Sequence, residues 1–279
     1  MFFSLVMGLL IGAFLVFFLS LGVLAFSPDI AEMINPSVVD ILKSVGGPVA
    51  AGFGGAIAGA VCSFLFQKRN ERERQVKSDI SVIHKMSIHM MMQLNELYSI
   101  KKHNIYPSIN HQARFLDISK MPSNPNVVGR VDSQIIDIAL SVGDTEAIDV
   151  IYLAEARYRA CFENFANRNS SLDEYRAVVK NSELSRAGSH SLRVLNEAVG
   201  EGQLIALHIM TEQMIEVLDE TLSTLTKAVE LLSNIVEKKY KGLGVSSIRY
   251  DIKESEKFLA NSPPPFFDVE KLKAYLRGG

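Results

Sequence analysis

Charged side chains are missing from two long stretches of this sequence, Met1–Phe26 and Val45–Phe66. Each uncharged run exceeds the roughly 20 residues that a helix needs to cross a bilayer core. Cysteine is nearly absent. Only Cys62 and Cys161 occur, one inside the second stretch and one in a predicted helix, which excludes a disulfide framework and suits a reducing compartment. An excess of basic charge is also lacking: the net charge of −2 and pI near 6.3 argue against a general nucleic-acid binder, and no direct nucleic-acid binding is expected. No alternating strand pattern and no Asn-Gly or Asp-Gly turn occurs, which removes the β classes. There is no Walker loop, nucleotide-binding glycine fingerprint, G-x-S-x-G elbow or HExxH. The sequence therefore predicts no enzyme, no cofactor and no metal.

What is present predicts an all-α chain, with an N-terminal two-helix transmembrane hairpin followed by an elongated antiparallel helical bundle. The hairpin takes residues 1–66, with spans at about 1–26 and 45–66 and an outer loop at 27–44; residues 67–279 form a cytoplasmic helical domain. Lys68, Arg69, Arg72, Arg74 and Lys77 follow the second span directly. Such a basic cluster is retained on the cytoplasmic side, whereas the loop between the spans carries Asp29, Glu32 and Asp40 against a single Lys43. The expectation is a multi-pass protein of the cell inner membrane with its N-terminus and its C-terminal domain in the cytoplasm. A cleaved signal peptide fits less well, because the first stretch lacks a basic n-region and no A-x-A-like site precedes Ser27.

The second stretch is dominated by small residues. Gly47, Ala51, Gly55, Gly59 and Ser63 recur at every fourth position and so share one face of a helix, and the first stretch has its own Gly8-x-x-x-Gly12. Small residues at that spacing let two backbones approach closely. Three readings are open for the stripe: packing of the two spans within one chain, self-association between chains, or the lining of an oligomeric pore. The absence of charge within the spans argues against a proton relay or coupled transporter. Expected partners are membrane lipid and further copies of the chain, joined through the second span.

Beyond Gln67 the pattern is helical. Val76, Ile80, Ile83, Ser87, Met90, Leu94 and Leu97 follow 4-3 spacing, as do Ala147, Ile151, Ala154, Tyr158, Cys161 and Phe165. The longest seam runs from Leu204 to Ile235. Between them, Ile105–Val128 reads as a long connection punctuated by prolines, and Asp144 after Gly143 reads as an N-cap. Asn167–Asn169 reads as a helix end, with Ser171 and Glu174 capping a further short helix. The His84, Met86, His89 and Met90–Met92 group could offer soft ligands, but His84 and His89 diverge on a helix and methionines in a seam are core filler. Glu212, Glu216, Asp219 and Glu220 read as a solvated acidic face.

Two functional classes remain. One is an effector restrained by a partner until release; the other is a passive membrane anchor or scaffold that localises a cytoplasmic complex. The layout of paired spans, glycine stripe and helical domain resembles the two-transmembrane effector proteins of bacterial antiphage defence, both the retron-associated and the superinfection-exclusion type. That resemblance implies an inner-membrane effector of an abortive-infection system that disrupts the membrane when released. It further implies a cytoplasmic partner, a reverse transcriptase with its DNA–RNA hybrid, that holds the effector silent.

Overall fold

The computed structural model describes residues 12, 36–41, 44, 47–182, 190–249 and 256–278. Every regular element among them is helical, as expected. By compactness the chain divides into two units, Met1–Gln75 and Val76–Gly279.

The first unit contains α1, Pro36–Ile41, and the beginning of α2, Gly47–Ile100. No proline or glycine interrupts α2 after Gly59, so nothing in the backbone ends the helix where the charges begin. The spacing of Arg69 and Glu73 also supports it: Arg69 Nε donates to Glu73 Oε1 at 3.1 Å across one turn.

Here the structure corrects the sequence reading. Among the described residues no helix is long and apolar enough to cross a membrane, which overturns the multi-pass inner-membrane placement. From Gly52 to Phe66, glycine and alanine make up about half of α2 and add little apolar surface. The cytoplasmic placing of the N-terminus and of the C-terminal domain rested on the same hairpin and falls with it. Of the first span, only Gly12 lies within the described residues.

The second unit is a helical bundle built on three long helices. They are α2 from Val76 onward, α5 (Thr145–Asn181) and α7 (Glu201–Lys239). Shorter pieces are α3 (Arg114–Asp117), α4 (Gln134–Ser141), α6 (Leu192–Val199), α8 (Glu256–Leu259) and α9 (Val269–Leu276). The expected seams are the core: Ile83, Met90, Leu94 and Leu97 are buried against Ile151, Ala154, Phe165, Met214, Leu218 and Leu225. Ser87, the one polar seam position of α2, returns its hydroxyl to the Ile83 carbonyl at 2.9 Å. Cross-helix pairs set the directions. Glu146 meets Lys227 and Arg168 meets Thr211, so α5 and α7 run antiparallel; Asp79 meets Tyr240 and Lys101 meets Asp219, so α2 and α7 do too.

One local expectation fails for an identifiable reason. α5 continues through Asn167–Asn169 as a single helix of 37 residues, because Arg168 and Asn169 turn inward and Ser171 is buried with them. The break before α5 is as expected: Gly143 takes φ 70° to reverse the chain, and the Asp144 carboxylate accepts the Ala147 N–H at 3.2 Å.

Candidate functional site

Gly8 lies outside the described residues. Gly47 and Ala51 lie in α2, and Gly55, Gly59 and Ser63 are exposed on it. A Cβ added at Gly55 or Gly59 would meet no atom within 4 Å, and the same holds at Gly12. Among the described residues, then, nothing packs against Gly55 and Gly59, and Gly12 does not meet them. Around the same helix Ile57, Val61, Phe64, Leu65 and Phe66 keep 48, 52, 64, 57 and 66% of their surface exposed. Lys68, Arg69, Arg72, Arg74 and Lys77 are exposed as well.

In the bundle the notable chemistry is three cations with almost no access to water. Long aliphatic stems carry them into the apolar interior, and each head group finds oxygen there. Arg168 sits on α5 and is fully buried. Its Nη1 donates to the Ser119 carbonyl at 2.9 Å, its Nη2 to those of Phe115 and Ile118 at 3.0 and 2.6 Å, and its Nε to Thr211 Oγ1 at 3.3 Å. The guanidinium thereby gathers the carbonyls around the end of α3, which have no helical partners of their own. Burial, with Arg176 adding like-charge repulsion, lowers it to about 10, and it stays charged at neutral pH.

Arg114 and Lys101 act on another segment. Arg114 grips both carboxylate oxygens of Glu212 on α7, through Nε at 2.9 Å and through Nη2, while donating to the carbonyls of Ile109 and Pro263 at 3.0 and 3.1 Å. Lys101 Nζ lies 2.6 Å from Asp219 Oδ1 and donates to the Ala260 carbonyl at 2.6 Å, and Asp219 Oδ2 accepts the Ser262 N–H at 2.7 Å. Residues 260–263 are therefore fastened to α7 by two ion pairs. The acidic run on α7 is not one solvated face: Glu212 and Asp219 turn inward, and Glu216 and Glu220 stay outside.

Past this fastening, residues 264–272 lie along α7 and leave a groove of about 460 Å³. His208, buried to 5% exposure, lines it, with its ring in edge contacts with both Phe115 and Phe266. Burial lowers the His208 pKa below its ordinary value. The Glu212 charge opposes that shift and the Arg114 charge adds to it.

Between α2 and α5, the Glu155 carboxylate accepts from Gln93 at 2.8 Å, from Arg159 at 2.8 Å and bonds His89 at 3.2 Å. Burial alone would raise its pKa, but those hydrogen bonds outweigh burial and hold it at about 2. Next to it the Tyr158 hydroxyl donates to Glu96 at 2.6 Å; burial and then that carboxylate push it well above its usual range. Glu96 also accepts the Asn126 N–H at 3.0 Å, so the network ties the 122–129 loop to the core. His84 bonds the Ser246 carbonyl at 3.1 Å, apart from His89, so the two histidines singled out in the sequence are not brought together. Cys161 packs against Thr221, and burial pushes its thiol up to about 12. Among the described residues no three His, Cys, Asp or Glu side chains converge on a position for a metal ion. Compared with known protein families, with curated proteins and with solved structures, the chain matches none.

Proposed function

We propose that this chain acts by assembly rather than by catalysis: a scaffold whose apolar helix joins copies of itself and whose helical bundle holds a protein partner. The observation that carries this reading is the ring of exposed apolar side chains from Ile57 to Phe66 beside bare glycine backbone at Gly55 and Gly59. A contiguous apolar surface of this kind marks an association site. The identical helix of a second copy presents the same small-residue face, so one close crossing covers both at once. The bundle supports the non-catalytic half of the reading. Its buried ionisable groups are spent on carbonyls and ion pairs that hold irregular segments in place. The restraint-and-release scheme of the resembled defence effectors carries over as partner-controlled assembly without a membrane step. The partner to test first is then a reverse transcriptase with its DNA–RNA hybrid.

Cys62 lies within the apolar segment and is exposed, while Cys161 is buried, so the chain contains its own cross-linking probe. A short bismaleimide added to the full chain is expected to give a species of twice the mass, lost in Cys62→Ser and reduced in Gly59→Leu, where added bulk blocks close approach. An unchanged doubled species in Gly59→Leu, or none in the parent chain, would refute assembly through this helix.

A further inference from the structure

We propose that the groove between α7 and residues 264–272 is a docking site for a short basic segment of a partner protein, one that sets an apolar anchor between lysines or arginines. Its size of about 460 Å³ falls within the range of sites that enclose a ligand. Ile209, Phe267 and Val269 line it with 49, 84 and 44% of their surfaces exposed. A phenylalanine left that open beside two aliphatic side chains is the composition of an interface anchor, not of a solvated turn.

Charge selects the occupant. Glu216 and Asp268 stand in the lining, and among the described residues no lysine or arginine does. Glu212 lies there too, but Arg114 already matches its charge. The uncompensated potential of the groove is therefore negative, which favours a cationic segment and disfavours phosphate-bearing surfaces. His208 lies in the same wall, its buried ring hydrogen-bonded to the Phe266 backbone, and so helps hold that wall in place. The segment from 264 onward is positioned for this by the ion pairs at 260–263 and by Leu272 and Leu276, which anchor α9 in a small core with Phe115, Leu204 and Leu207. The groove uses bundle residues alone, so peptide binding and self-association through the apolar helix succeed or fail independently.

The test is fluorescence anisotropy with the full chain and a labelled probe peptide, Gly-Lys-Lys-Leu-Phe-Lys-Lys-Gly. Two comparison peptides replace the four lysines by glutamate or the Leu-Phe pair by Ala-Ala. Saturable binding of the probe is expected, with both comparison peptides at least about tenfold weaker. Glu216→Lys and Phe267→Ala, both exposed positions, should each weaken the probe by about tenfold, whereas Glu163→Lys on the exposed face of α5 should leave it unchanged. Equal binding of all three peptides, an equal loss in Glu163→Lys, or no saturation up to about 1 mM would overturn the assignment.

Discussion

Lys101 and Asp219 meet at 2.6 Å with 1 and 6% of their side chains exposed, and between them they hold the Ala260 carbonyl and the Ser262 N–H. A pair this deeply buried is dangerous to break and tolerant of being replaced, because either partner alone leaves an uncompensated charge. Lys101→Met should cost about 3–5 kcal/mol. The double variant Lys101→Met/Asp219→Leu should recover part of that loss, since no lone charge remains. Urea denaturation of the two variants checks it. Equal stability of the single variant and the parent would show that the pair contributes nothing.

His208 makes the region beneath residues 264–272 sensitive to acid. Its pKa is lowered by burial, so below the ordinary value near 6.5 the unfolded chain takes up a proton that the folded chain refuses. Stability is therefore complete above that value and falls as pH drops through it. Glu155 does not share the window, since its carboxyl is held at about 2. The urea midpoint is expected to fall between pH 7.5 and 5.5, and His208→Phe should flatten that dependence. An identical slope in the variant would assign the effect to other groups.

The core was legible and its fastenings were not. Ile83, Met90, Leu94 and Leu97, and the run from Leu204 to Ile235, declare themselves by period, because one face of a long helix repeats every three or four residues. The destination of Glu212 and Asp219 has no such signature. Their partners are far away in sequence, Lys101 in the helical turn that continues α2 and Arg114 at the start of α3, and a local pattern cannot distinguish an inward from an outward carboxylate. Arg168 and Asn169 misled for the same reason: polar residues read as a helix end, yet they are buried where main-chain carbonyls from 115–121 need donors. The groove beside His208 is equally non-local, made where the chain returns to α7 after Pro265.

Gly129 closes the network around Glu155. A Cβ there would stand 2.7 Å from His89 Cε1 and 3.1 Å from Nδ1. The ring cannot turn aside freely, because Nε2 bonds Glu155 and lies 3.1 Å from Gln93 Nε2. Gly129→Ala should therefore cost about 1–3 kcal/mol, the usual penalty of overpacking a filled site. Gly129→Ala in a His89→Ala background should cost less, and that difference in thermal unfolding separates the clash from any general loop effect.

The two cysteines should react as differently as their settings. Cys62 is exposed on α2, and Cys161 has no exposed surface, lies 3.1 Å from Thr221 Oγ1 and has its thiol pushed up to about 12. Thiolate is the reacting form, so at pH 8 Cys161 is disfavoured twice over, by access and by protonation. A thiol reagent should consume one equivalent in the native chain and a second only after denaturant is added. Packing contacts between copies would slow Cys62 as concentration rises, since each copy shields the other's helix. Titrating the reaction rate against protein concentration thus reads assembly through this helix without any substitution, and a rate independent of concentration would count against it.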